Sequence, residues 1–154
     1  MKSIIMNLKN NKSGFTLLEI LLVVAAIGIL STNKKGFFLM VEGSQIDWAG
    51  HDRNALQLVK EMLDFDKTVG CALDFAKKDG NTLVIITSDH ETGGLVLLDG
   101  KFGSDSLKTV FLSKEHTGVP VPVFTYGPGA DNFSGFMENT SFKSKLEKLL
   151  KLKK

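Results

Sequence analysis

The stretch TSDHETGG, Thr87 to Gly94, sets Asp89 and His90 side by side directly after the apolar run TLVII. An aspartate and an imidazole at the end of a buried strand form a candidate metal pair. Asp47 and His51 stand four apart in SQIDWAGH, so one helical turn puts both on one face. The third and last histidine, His116, lies in EHTG, just before another strand-like run. Each histidine sits near a carboxylate and a glycine-containing turn. Aspartate with two histidines suits zinc, which takes imidazole nitrogen and carboxylate oxygen and keeps an open position in catalytic sites. Glu42, at the end of GFFLMVE, suits a harder ion such as magnesium. Taken singly, the same residues have plainer readings. His51 suits a solvated helix start and Asp89 a strand-end cap; Glu42 and Asp47 suit loop carboxylates, and His116 an exposed turn. The joint pattern is what points to a metal centre.

These side chains need elements to position them. GFFLMVEG, residues 36–43, is a short apolar run bounded by glycines and reads as a buried strand. DRNALQLVKEML reads as a helix with Ala55, Leu58, Val59 and Met62 on one face. DFDKTVGCALDFAKKDG reads as a second, with Phe65, Val69, Leu73 and Ala76 at helical spacing and Gly80 as its stop. Cys71 falls inside this pattern as a small buried hydrophobe. TLVIITS is continuous and β-branched, as in a strand buried on both faces. Glu91 to Gly94 read as the turn leaving the site, with no ligand role. GLVLLDGKFG is a strand and turn; VPVPVFTYGPG is a strand with Pro120 and Pro122 at its beginning or on an edge. SFKSKLEKLLKLKK is a closing amphipathic helix with Phe142, Leu146, Leu149 and Leu150 apolar. This order predicts an α/β fold with a mostly parallel central sheet flanked by helices. Ligands in such sheets gather at the carboxyl ends of the strands.

The 154 residues suit one domain of ordinary globular composition. A net charge of +2, a single arginine (Arg53) and no aromatic–basic interleaving give no support to nucleic-acid binding. The amino-terminal end is different in kind. MKSIIMNLKNNKSG is polar and basic, and FTLLEILLVVAAIGIL is apolar apart from Thr16 and Glu19. As a helix the apolar run is roughly 24 Å long, marginal against a bilayer core of about 30 Å. A glutamate inside such a run is costly in lipid and needs a reason.

That segment, GFTLLEILLVVAAIGIL, closely resembles the amino-terminal methylation motif of type IV pilins and type II secretion pseudopilins. The resemblance implies cleavage after Gly14, N-methylation of Phe15, and pairing of Glu19 with a neighbouring subunit's terminal amine. It covers about residues 12 to 30, giving a basic leader (1–14) and a hydrophobic helix (15–32). STNKKG then interrupts the long helix a pilin would continue.

The remainder, 35–154, resembles the carboxy-terminal part of bacterial alkaline phosphatases. GFFLMVEGSQIDWAGH, NTLVIITSDHETGG and EHTGVPVPVFTYGPGADNFSG carry the resemblance. It implies Glu42 as a magnesium ligand, Asp47, His51 and His116 as a first zinc site, and Asp89 and His90 as part of a second. It also implies a nucleophilic serine that follows an aspartate and opens a helix, a bridging aspartate, a threonine on magnesium and an arginine on phosphate. None of these has a counterpart at a matching motif. SDS at Ser104 to Ser106 sits in a glycine-rich turn, and Arg53 lies in a helical stretch.

The expectation is therefore a metal-dependent phosphomonoester hydrolase, truncated and inactive alone because the half with the serine nucleophile is missing. A dimer or a partner chain supplying that half, and a phosphate monoester substrate, are the expected partners. The alternatives are a pilin-type membrane-anchored structural subunit, attached through residues 15–30, or two gene pieces joined by fusion or truncation. Both resemblances imply a bacterial protein outside the cytoplasm, anchored to the inner membrane or periplasmic or extracellular.

Overall fold

A computed structural model describes residues 4–7, 17–103 and 106–151. The chain divides into two compact units, Met1–Cys71 with His90–Val119, and Ala72–Asp89 with Pro120–Lys154.

The first unit contains strand β1 (Ile4–Asn7), helix α1 (Leu17–Leu30), helix α2 (Ser44–His51) and the start of helix α3 (Ala55–Asp79). After the chain returns at His90 come β3 (Glu91–Thr92), β4 (Leu95–Gly100), β5 (Ser106–Phe111) and β6 (His116–Thr117); β2 belongs to the other unit. β5 is the centre of an antiparallel sheet of order β1-β5-β4. With a neighbour on each side, it carries Thr109 and Val110 fully into the interior. β4 slips register between Leu97 and Asp99, a bulge that bends the edge strand. β1 falls within the stretch expected to be a basic leader. β3 and β6 form a ladder of two residue pairs, Glu91 with Thr117 and Thr92 with His116.

α1 covers Leu17–Leu30 of the expected 15–32, with 15 and 16 outside the described residues. It stops where Ser31 and Thr32 turn their hydroxyls back onto the carbonyls of Gly28 and Ile29, and Gly36 takes a positive φ of 85°. Among the described residues no helix is long and apolar enough to cross a membrane. α2 ends at a turn in which Arg53 adopts φ 52°. Arg53 therefore lies exposed between helices, not inside one as its sequence context suggested. Asn54 then caps α3, its Oδ1 accepting from the Gln57 N–H at 3.1 Å.

α3 merges the two helices expected from the sequence into one of 25 residues. Neither residue at the expected boundary, Leu63 or Asp64, is a glycine or proline, and Gly70 is carried inside the helix. Buried Asp64 keeps its charge satisfied within the helix, accepting from Lys67 Nζ at 2.6 Å. Met62, expected on the apolar face, points outward. The predicted stop is in place: Gly80 leaves the helix at φ 71°.

The second unit pairs β2 (Val84–Thr87) with β7 (Val123–Tyr126), antiparallel, Val84 opposite Tyr126 and Thr87 opposite Val123. A 3₁₀ turn (Ala130–Phe133) and helix α4 (Ser141–Leu149) follow. Phe133 is buried, with its ring 5.5 Å from that of Phe142 on α4. Gly127 is required where it stands: at φ 106°, a Cβ there would lie 2.2 Å from the Thr82 carbonyl oxygen.

Two expectations need correction. Every strand pair among the described residues is antiparallel, so the mostly parallel central sheet is not found. Parallel neighbours need long crossovers, whereas β4 and β5 are joined by a short connection. β2 has one paired edge, and none of its residues is fully buried. The run 36–43 forms no strand. It pairs with no described strand, and Phe38 and Met40 are left 61% and 80% exposed.

One core position tests the β1-β5-β4 sheet. Thr109 is 0% exposed and its Oγ has no hydrogen-bond partner among the described residues. Thr109→Val keeps the shape and removes an unpaired polar atom, so it is expected to stabilise the protein by about 1 kcal/mol. Denaturant unfolding of the two forms measures this; a clear loss of stability would show that the hydroxyl is satisfied.

Candidate metal centre

α2 carries Asp47 and His51 one turn apart, and β6 brings His116 to them across the unit. Their ligand atoms all lie within 4.8 Å of one another, which makes them a group able to hold a metal ion. His51 Nε2 is 3.1 Å from His116 Nε2 and 3.5 Å from Asp47 Oδ2; His116 Nε2 is 3.7 Å from Asp47 Oδ1. Ligands at 2.0–2.1 Å on a tetrahedral ion are separated by about 3.3 Å. The His51–His116 separation is close to that spacing, while the two Asp47 distances are to different oxygens of its carboxylate. All three side chains are partly exposed.

The protonation pattern fits the same use. His51 Nδ1 lies 2.5 Å from the Lys114 carbonyl oxygen, which can only accept. Nδ1 thus carries a proton, and Nε2 faces His116. A second nitrogen only 3.1 Å away needs a proton or a cation between the two. A backbone carbonyl that orients an imidazole in this way is typical support for a metal-binding histidine.

The two-residue ladder of β3 and β6 supports the group from below. Glu91 spans its own turn, accepting from the Gly94 and Leu95 N–H groups at 3.1 Å each and from the Thr117 hydroxyl. Burial pushes the Glu91 carboxyl up. The hydrogen bonds from Thr117, Leu95 and Gly94, together with His116, outweigh it and hold the group below its ordinary value. Thr92 donates to Asp47 Oδ1 at 2.5 Å. Two glycines make the approach possible. A Cβ on Gly50 of α2 would stand 3.0 Å from the Thr92 methyl, and one on Gly93 would stand 2.8 Å from the Phe111 ring. His90, just before β3, stacks on His116 with ring centroids 3.5 Å apart and planes 20° from parallel.

Residues 6–110 match the model of the alkaline phosphatase family, described as "Alkaline phosphatase". The chain belongs to the alkaline phosphatase family. It is 32% identical over 197 residues to alkaline phosphatase 4 of Bacillus subtilis, covering 84% of this chain and 43% of that protein. Its fold is similar to the alkaline phosphatase of the Antarctic bacterium TAB5, with a TM-score of 0.77 at 49% identity, over 84% of this chain and 39% of that one. A mutant of the TAB5 enzyme, solved with Mg bound in its M3 site, gives the same TM-score at 45% identity, over 86% of this chain and 41% of that one. The chain thus spans less than half the length of these relatives.

Within this family frame the residues singled out from sequence divide clearly. Asp47, His51 and His116 come together, and His90 lies against His116. Glu42 is exposed ahead of α2 and is not a member of the three-residue group; neither is Asp89, exposed in the bend after β2. Glu19 falls within α1, while Gly14 and Phe15, like Ser104 and Asp105, lie outside the described residues. Sequence reasoning passed over Glu91, Thr92 and Thr117. Their role depends on a strand pairing between residues far apart in the chain, which no local pattern reveals.

Glu91 gives a direct test of the hairpin. Its folded pKa lies below the ordinary 4.5, so its contribution is fully present above about pH 4.5 and is lost as pH falls through the lowered folded value. Glu91→Gln is expected to cost about 1–2 kcal/mol near neutrality. The gap from wild type should shrink on acidification in chelator-treated protein followed by thermal melting. A gap that widens toward low pH would contradict this assignment.

Proposed function

We propose that this chain carries the metal-holding part of an alkaline-phosphatase-type phosphomonoester hydrolase. The observation that carries the reading is the meeting of Asp47, His51 and His116, whose ligand atoms lie within 4.8 Å of one another and whose donor types suit zinc. In this reading those three residues hold a first zinc, Asp89 and His90 contribute to a second, and Glu42 contributes to a magnesium site. Metal at these positions supplies Lewis-acid stabilisation of phosphoryl oxygens and of an attacking oxygen. Asp47 and His51 orient one side of the site from a rigid helical turn, and His116 closes it from the β6 ladder. The Lys114 carbonyl keeps His51 in the tautomer that presents Nε2. No serine follows an aspartate at a helix start among the described residues, and Arg53 sits in an exposed turn. The nucleophile and the phosphate clamp are therefore assigned to groups outside these residues, on a partner chain or a further segment.

Titration of the purified full chain with zinc, followed by competition with a chromogenic chelator, tests the reading. Zinc binding is expected, weakened more than about tenfold in His116→Ala. A chromogenic phosphate monoester should not be turned over by the chain alone. Absence of zinc binding would sink the metal assignment, and zinc-dependent turnover would sink the assignment of the nucleophile elsewhere.

The order Gly14, Phe15, Glu19 within GFTLLEILLVVAAIGIL favours a second reading for the amino-terminal segment. In that reading it is processed after Gly14 and held at the inner membrane, with the metal-binding part in the periplasm. Mass spectrometry of the mature protein is then expected to find an N-methylated Phe15 terminus; an intact Met1 would count against it.

A further inference from the structure

Thr92 touches two metal-type side chains at once. Its Oγ is 2.5 Å from Asp47 Oδ1 and 3.2 Å from His90 Nδ1. A hydroxyl has one proton to give and lone pairs with which to accept. A metal-binding carboxylate can only accept, so the Thr92 proton goes to Asp47. The hydroxyl oxygen then faces His90 as an acceptor, and His90 Nδ1 must carry the proton. The Lys114 carbonyl imposes the same tautomer on His51. The Thr92 methyl lies where a Cβ on Gly50 would collide with it, so the helix backbone limits how the side chain can turn.

We propose that Thr92 is a positioning residue that joins the two zinc positions of the site. Through one hydroxyl it orients Asp47 in the first and fixes the tautomer and ring direction of His90 for the second. His90 stacks on His116, so an error in its orientation is felt at both positions. The proposal rests on the metal reading above for its purpose, but its geometry can be read without any metal.

The decisive measurement is a long-range nitrogen–proton correlation spectrum of the zinc-free full chain labelled at histidine, recorded above the histidine titration range. His90 is expected in the Nδ1–H form, and Thr92→Val is expected to give a mixture of tautomers. Zinc titration adds a second readout. Thr92→Val should weaken the second zinc equivalent by about 10–100-fold, and Thr92→Ser, which keeps the hydroxyl, should restore most of it. Wild-type His90 in the Nε2–H form would overturn the proposal, as would wild-type zinc affinity in a folded Thr92→Val. If Thr92→Val does not fold, the wild-type spectrum and the Ser variant still decide. Failure of the wild type to bind zinc would remove the metal reading, while the tautomer would still report on Thr92.

Discussion

The site depends on a ladder of two residue pairs. Thr92 opposite His116 and Glu91 opposite Thr117 are the register that brings a residue from the EHTG turn to the face of α2. So short a ladder is weak by itself. It is held by a carboxylate that satisfies two backbone N–H groups and a hydroxyl in one turn, and by the Gly93 N–H donating to the Glu115 carbonyl. Bonds to a charged acceptor are stronger than neutral ones, so Glu91 can replace a longer sheet. A register shift of one residue would turn His116 to the opposite face.

Geometry on the helix side is set by sterics. Gly50 is buried against Thr92, and Ala49 beside it is fully buried, so α2 sits close enough for the Thr92 hydroxyl to reach Asp47. Closeness and charge then act together. An aspartate and two histidines thereby stand within reach of a single ion. The chain belongs to the alkaline phosphatase family, and the cluster is a group able to hold a metal ion.

The strands show where local pattern is a poor guide. TLVIITS reads as a strand buried on both faces, and β2 does form there, but with one neighbour and no fully buried residue. GFFLMVEG reads the same way and makes no ladder at all. An apolar run states that a segment favours burial, while burial itself requires strands on either side. The helical expectations fared better, because the i, i+4 contacts and capping bonds that make a helix are local. One failure, the join at Leu63 and Asp64, came from splitting the segment at a point with no breaker residue.

By itself the sequence determined the chemistry on offer. Three histidines, each near a carboxylate, and the i, i+4 spacing of Asp47 and His51 were visible because residue type and helical period are local properties. The stop at Gly80 was visible for the same reason. Only the tertiary structure decided which of those groups meet. It joined His116 to Asp47 and His51 and laid His90 on His116. It also gave Glu91 and Thr92 a role that a reading of ETGG as a simple turn had passed over. The reason is physical: register between distant strands follows from the summed packing and hydrogen bonding of the whole unit, and no short stretch of chain contains that sum.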